Sequence, residues 1–190
     1  MRTRAPVLVA SGVAVAMVVA GVVALVASLV VDDQSGTSPQ AIEAFERAVT
    51  PTAEQAGKTV VLGLKVAIGD LGAEHRTAPA VIVEQTGAWR KDLVAARAAF
   101  AAADAPDSLQ DARGDFVAAL DRYLVALDRI RDAALASDPA QRDRLLDAAI
   151  EEGRAGDDLY DRAAAVLQRA RRDAGLAPNP AFPDPASRQP

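Results

Sequence analysis

The side chains that could do chemistry in this sequence are few, and their spacing serves it badly. His75 is the only histidine and stands beside Glu74 at the end of a helical pattern. Carboxylate-bridged di-iron bundles need a Glu-x-x-His pair on each of two helices, so a single histidine cannot build one. As a pH-responsive group, His75 reads more simply as a solvated side chain in a turn. No cysteine is present, which excludes disulfides, thiolate metal ligands, c-type haem attachment and cysteine nucleophiles. A serine nucleophile needs a histidine base, and Ser108 and Ser137 instead stand where helices begin. Glu43, Glu74, Glu84, Glu151 and Glu152 offer carboxylates for acid–base work, but no spacing pairs two of them. Asp111, Asp115, Asp121, Asp128 and Asp132 fall off the apolar seam of their helix and read as a solvated face.

Two short patterns invite a functional reading and do not support one. Gly63, Gly69 and Gly72 match neither the phosphate loop nor the dinucleotide fingerprint, and they lie within a helical pattern. Arg113-Gly114-Asp115 is the integrin-recognition tripeptide, but it falls in the second turn of a strongly periodic helix. The glycines are more informative. Gly153 and Gly156 fall on the seam of the last helix, where each costs about 1 kcal/mol relative to alanine. Gly57, Gly63, Gly69 and Gly72 burden the first long helix in the same way. A bulky neighbour such as Trp89, Phe100 or Phe116 seated on bare backbone explains such positions. A ligand groove is the alternative, and its candidate lining is Gln85, Trp89, Gly153, Gly156 and Tyr160. Gln85 in an apolar seam reads equally as a register-setting buried amide.

The elements that must position these residues are all helical. Ser38 and Pro39 cap a short helix over 39–50, with Ile42, Phe45 and Val49 on one face. Thr50-Pro51 then restarts or kinks it. From 51 to 75, the run Ala53, Gly57, Val60, Leu64, Ala67, Leu71 alternates spacings of 4 and 3, the mark of a bundle seam. A second helix over 79–103 has the seam Ile82, Gln85, Trp89, Leu93, Ala96, Phe100, Ala103. Asp107 and Gln110 form a capping-box pattern that opens the third. Its repeat, Leu109, Ala112, Phe116, Leu120, Tyr123, Leu127, Ile130, Ala134, is the cleanest in the chain. Asp138 and Pro139 open the fourth, which runs through Leu146, Ala149, Gly153, Gly156, Tyr160, Ala163, Leu167 and Ala170. Gly175 and Pro178 stop it.

Connections of about 3–5 residues force antiparallel neighbours, so the expected fold is all-α, an antiparallel up-down four-helix bundle over 39–176 with a short extra N-terminal helix. In that topology the first helix's start and the fourth helix's end lie at the same end, where they can pair. The tail, 177–190, has five prolines after Ala177 and is expected to be disordered or extended.

Residues 6–31 run 26 positions without a charge. About 20 apolar residues span a bilayer, so this stretch reads as an uncleaved transmembrane signal-anchor helix. A cleaved signal has a shorter apolar region and a small-x-small end; here Leu25-x-Ala27 is a poor match. Arg2 and Arg4 precede the run and Asp32 and Asp33 follow it, which puts residues 1–5 in the cytoplasm and the bundle outside, beyond a polar linker at 32–38. Residues 32–190 carry the remaining 19 basic side chains against all 26 acidic ones, net −7, which disfavours nucleic acid. Lysine occurs only at 58, 65 and 91, a usage that fits a GC-rich bacterial genome.

The expected role is therefore non-enzymatic, with no cofactor and no metal. The partners expected are the lipid bilayer through residues 6–31 and another membrane or envelope protein. The architecture resembles, in outline only, the periplasmic four-helix bundles of bacterial chemoreceptors and sensor kinases, which implies ligand sensing as an alternative. This sequence departs from them in showing no second membrane helix and no cytoplasmic output domain, so sensing would need a membrane partner.

Overall fold

The computed structural model describes residues 37–72 and 78–185. Every regular element among them is helical. Helix α1 is Pro39–Lys58. A wide turn of π-helix follows at Thr59–Leu64, and α2 is Lys65–Gly72. These three form one continuous first arm. Helix α3 is Pro79–Ala102, a 3₁₀ turn occupies Asp107–Leu109, α4 is Gln110–Leu135 and α5 is Pro139–Asp173.

The start signals act largely as the sequence suggests. Ser38 Oγ accepts from the Ala41 amide at 3.2 Å, and Asp138 Oδ1 accepts from the Ala140 amide at 3.2 Å. In each case a proline takes the next position, where no amide is missed. The 107–110 capping box does not form. Gln110 Nε2 reaches back past the turn and donates to the Ala105 carbonyl at 2.5 Å, and the helix starts through the 3₁₀ turn. Helix α5 ends on Gly175 at φ +72°, with Leu176 N–H to the Arg171 carbonyl at 2.8 Å and Gly175 N–H to the Arg172 carbonyl at 3.0 Å. That is a Schellman stop.

Cross-helix pairs fix the topology. Phe45 packs near Phe100 and Gln55 bonds Asp92, so α1 and α3 run oppositely. Arg90–Asp128 and Arg97–Asp121 do the same for α3 and α4, and Asp115–Arg162 and Arg122–Glu152 for α4 and α5. Glu46–Arg171 and Lys65–Asp157 close the ring between the first arm and α5. The result is the up-down four-helix arrangement, and the start of α1 does meet the end of α5.

Three features depart from the sequence expectations. The helix over 39–50 is not separate: α1 runs straight through Pro51. An interior proline costs about 3 kcal/mol, yet Ile42, Phe45, Val49, Ala53 and Ala56 form one unbroken buried face across it, and that burial dominates. Gln85 is exposed, while Thr86, one position on, is buried, so the buried-amide reading fails. The tail, expected to be disordered or extended, turns back and packs through Phe182, which is fully buried. Its ring lies 5.5 Å from that of Phe116 and 6.3 Å from that of Phe100, extending a cluster of Phe45, Phe100, Phe116 and Tyr160. One aromatic side chain is enough to offset the ordering of a short, proline-stiffened segment.

The expected membrane span at 6–31 and the segment 1–5 expected to be cytoplasmic lie outside the described residues. Among the described residues, no helix is long and apolar enough to cross a membrane.

Candidate functional site: a groove between the first arm and α5

The first arm packs against α3 on one side and leaves a groove against α5 on the other. Two adjoining hollows, of about 300 and 590 Å³, share Val60, Lys65, Tyr123 and Asp157. Their floor is apolar: Leu64, Ala126 and Ala149 in the smaller, Phe100 and Leu120 in the larger. The π turn supplies Val60 and Val61 to the rim, and Val61 is 55% exposed. Such turns mark positions where a helix has been locally re-aimed. Here Lys65 N–H reaches the Val60 carbonyl five residues back.

Residue size explains why the groove exists. The arm presents Ala53, Ala56 and Gly57 to it, and α5 presents Gly153. Side chains this small cannot fill the space between two helices that other contacts hold apart.

A polar cluster marks where the two hollows meet. Tyr123 Oη donates to Asp157 Oδ1 at 2.7 Å, and Lys65 Nζ lies 3.8 Å from Asp157 Oδ2. The phenol is held well above its ordinary pKa, first by burial, then by the hydrogen bond and the charge of Asp157. It therefore stays neutral and serves as a donor. The Lys65–Asp157 pair is long and exposed, so it is weak and easily exchanged. Chemically, the groove offers an apolar floor and a charged lining of Glu54, Lys58, Lys65, Asp157 and Asp161.

The five candidate lining residues do not come together. Gly153 lines the smaller hollow and Tyr160 the larger. Gly156 is buried beneath the Tyr123 ring; a Cβ there would stand 2.7 Å from Tyr123 Cε1. Its glycine thus serves close approach, although Tyr123 is not one of the bulky neighbours expected from the sequence. Gln85 and Trp89 line a different cleft, of about 510 Å³, between the arm and α3. Trp89 does seat on a glycine as expected: a Cβ at Gly63 would lie 2.9 Å from its ring. In that cleft Asp92 Oδ2 accepts from Gln55 Nε2 at 3.1 Å and Thr59 Oγ1 at 2.9 Å.

The remaining candidates resolve plainly. Asp115 of the Arg-Gly-Asp tripeptide is held in α4 by both Arg162 nitrogens, at 2.6 and 3.0 Å. Asp121 pairs with Arg97 and holds its guanidinium above the ordinary range by hydrogen bond and charge; Asp128 pairs with Arg90. Glu152 pairs with Arg122 at 2.9 Å, while Glu43, Glu84 and Glu151 are exposed. Among the described residues, no three His, Asp or Glu side chains gather closely enough to hold a metal ion. Glu74 and His75 lie outside the described residues.

Sequence reasoning missed two buried polar groups. Glu46 and Arg171 form a buried ion pair, and Arg171 Nε also donates to the Ala177 carbonyl at 2.5 Å. Gln168, 1% exposed, holds the backbone of the tail. A polar residue directly beside a seam residue (Glu46 after Phe45, Gln168 after Leu167) was the available signal. No known protein family matches the chain, and neither does any curated protein or solved structure.

Proposed function

We propose that this chain is a membrane-tethered, extracytoplasmic binding module that engages another protein through the groove between the first arm and α5. One observation carries the reading: along that seam a groove of about 590 Å³ with an apolar floor stands open under an exposed Val61, whereas the clefts of about 510 and 550 Å³ beside α3 are lined by a larger share of polar and charged side chains. An apolar floor within a polar rim favours docking. The uncharged run at 6–31, flanked by Arg2, Arg4, Asp32 and Asp33, supports the tether and its orientation.

A photo-crosslinking side chain placed at 61 in intact cells tests this, with position 129 on the outer face of α4 as the control. A protein adduct from 61 and not from 129 is expected; equal labelling at both positions removes the groove from consideration. Protease added to spheroplasts should digest residues 39–176. Their protection would reverse the orientation.

The alternative is a small-molecule sensor acting with a membrane partner. The groove volume favours it, since ligand pockets span about 300–1,000 Å³. A thermal-shift screen separates the two, because only this reading expects small molecules that raise the melting temperature.

A further inference from the structure

The gap between the first arm and α5 is a single trough, and the chain's own tail fills one end of it. After the left-handed turn at Gly175, the chain folds back and sinks Phe182 completely among Phe100 and Phe116. Gln168 then grips the backbone on either side of the turn that the tail makes. Its Nε2 donates to the Asn179 carbonyl at 2.8 Å and to the Phe182 carbonyl at 2.5 Å, and its Oε1 accepts from the Asn179 amide at 3.3 Å. All three bonds are to main-chain atoms, so the clamp reads the backbone of a turn, closed by Phe182 N–H on the Asn179 carbonyl at 3.1 Å, and not a particular side chain. Sequence enters through the anchor: an aromatic ring between Pro180 and Pro183. Prolines in this spacing cannot join a helix, and their fixed φ stiffens the segment before it binds.

These are the ingredients by which folded domains hold proline-containing peptides: a deep aromatic anchor, a side-chain amide on the peptide backbone and pre-stiffened flanks. The outer faces of Pro180, Ala181 and Pro183 form one wall of the open 590 Å³ groove. The tail therefore stops short of filling the trough it occupies.

We propose that the trough is a receptor for a turn-forming segment of another protein, carrying an aromatic anchor flanked by prolines, and that residues 179–184 are its occupant in cis. The inference rests on the binding-module reading above. A second copy of this chain is the weaker candidate on physical grounds. Its tail would make the same contacts that the cis tail already makes, and it would lose translational freedom to do so. A foreign segment can run on past the anchor into the open groove, along Val60, Leu120 and Tyr160, and gain contacts that the tail lacks. The tail then acts as a built-in competitor that sets the threshold for binding.

The test uses the full-length chain and a fluorescent peptide of the sequence 178–185, PNPAFPDP. In the Phe182→Ala chain the cis tail has lost its anchor. The peptide is expected to bind that variant at least about tenfold more tightly than the wild type, since only in the wild type must the cis tail first leave. The same peptide with its phenylalanine replaced by alanine should bind neither. No saturable binding to a folded Phe182→Ala chain, or equal affinity for both chains, overturns the proposal. A dimer that forms with the wild type and not with the variant assigns the trough to tail exchange and also overturns it. Should the variant fail to fold, amide exchange on the wild type decides. The amides of 181, 182 and 184 should open at least about a hundredfold more readily than those of α4, and exchange of the tail only together with α4 sinks the idea. Failure here leaves the crosslink from 61 to be read independently, because it reports a protein in the groove whatever its sequence.

Discussion

Helix α4 and the first arm sit in the same bundle and behave as opposites. All eight seam positions of α4 and the turn that opens it, from Leu109 to Ala134, are buried as their spacing requires. The arm carries a proline inside α1, a π turn in its middle and small residues where it faces α5. Bulky side chains on a strict repeat draw neighbouring helices into close packing. Small ones on an interrupted repeat leave them apart. In this protein the groove with the apolar floor lies along the imperfect repeat.

The largest effect that can break the comparison is in the core. Phe116→Ala should cost about 3–5 kcal/mol in urea unfolding, whereas Val61→Ala on the groove rim should stay within about 0.5 kcal/mol. Comparable losses at the two sites would mean that the arm is packed as tightly as α4. Of similar size is the buried pair. Arg171→Met strands the Glu46 carboxylate, whose Oε1 already has no hydrogen-bond partner, and should cost about 3–5 kcal/mol. Adding Glu46→Leu should recover most of it, and a double variant no better than the single would show that the pair itself is stabilising.

The glycines of α5 sharpen the contrast at close range. Gly156→Ala drives a methyl into Tyr123 and should destabilise by about 1–3 kcal/mol. Gly153→Ala meets open space and should stabilise by about 0.5–1 kcal/mol through helix propensity alone. Denaturation midpoints in the reverse order would place the close approach elsewhere.

Tyr123 also predicts a pH dependence. Its pKa is raised in the folded state, so its contribution is fully present below the ordinary tyrosine value of about 10 and is lost as pH rises above it. Tyr123→Phe should flatten that alkaline loss relative to the wild type, read as melting temperature against pH. Identical slopes would mean that the phenol is not desolvated. The smallest expected effect is at the surface: Asp128→Asn, which weakens an exposed pair with Arg90, should cost only about 0.2–1 kcal/mol.

Much of the scaffold was legible because helix signals are local. The caps at Ser38 and Asp138, the stop at Gly175 and the seam of α4 each depend on residues within a few positions of one another. The candidate site was legible only in pieces. Gly153 and Tyr160 do face the groove and Trp89 does sit on a glycine, yet Gln85 turns outward one position short of Thr86. A single-residue error of phase rotates a helical side chain by about 100°. Propensity gave no warning of that, and none that α1 would continue through Pro51.

By itself the sequence determined the starts at Ser38 and Asp138, the stop at Gly175, the antiparallel order and the meeting of the first helix's start with the last helix's end. Periodicity and short connections leave little freedom in those. Only the tertiary structure decided that Phe182 belongs to the core, that Gln168 holds the tail and that Tyr123 covers Gly156. Each joins residues from separate segments, and the free energy of each depends on whether a distant partner leaves a space of the right shape. No local pattern records that space, because it exists only once the helices have packed.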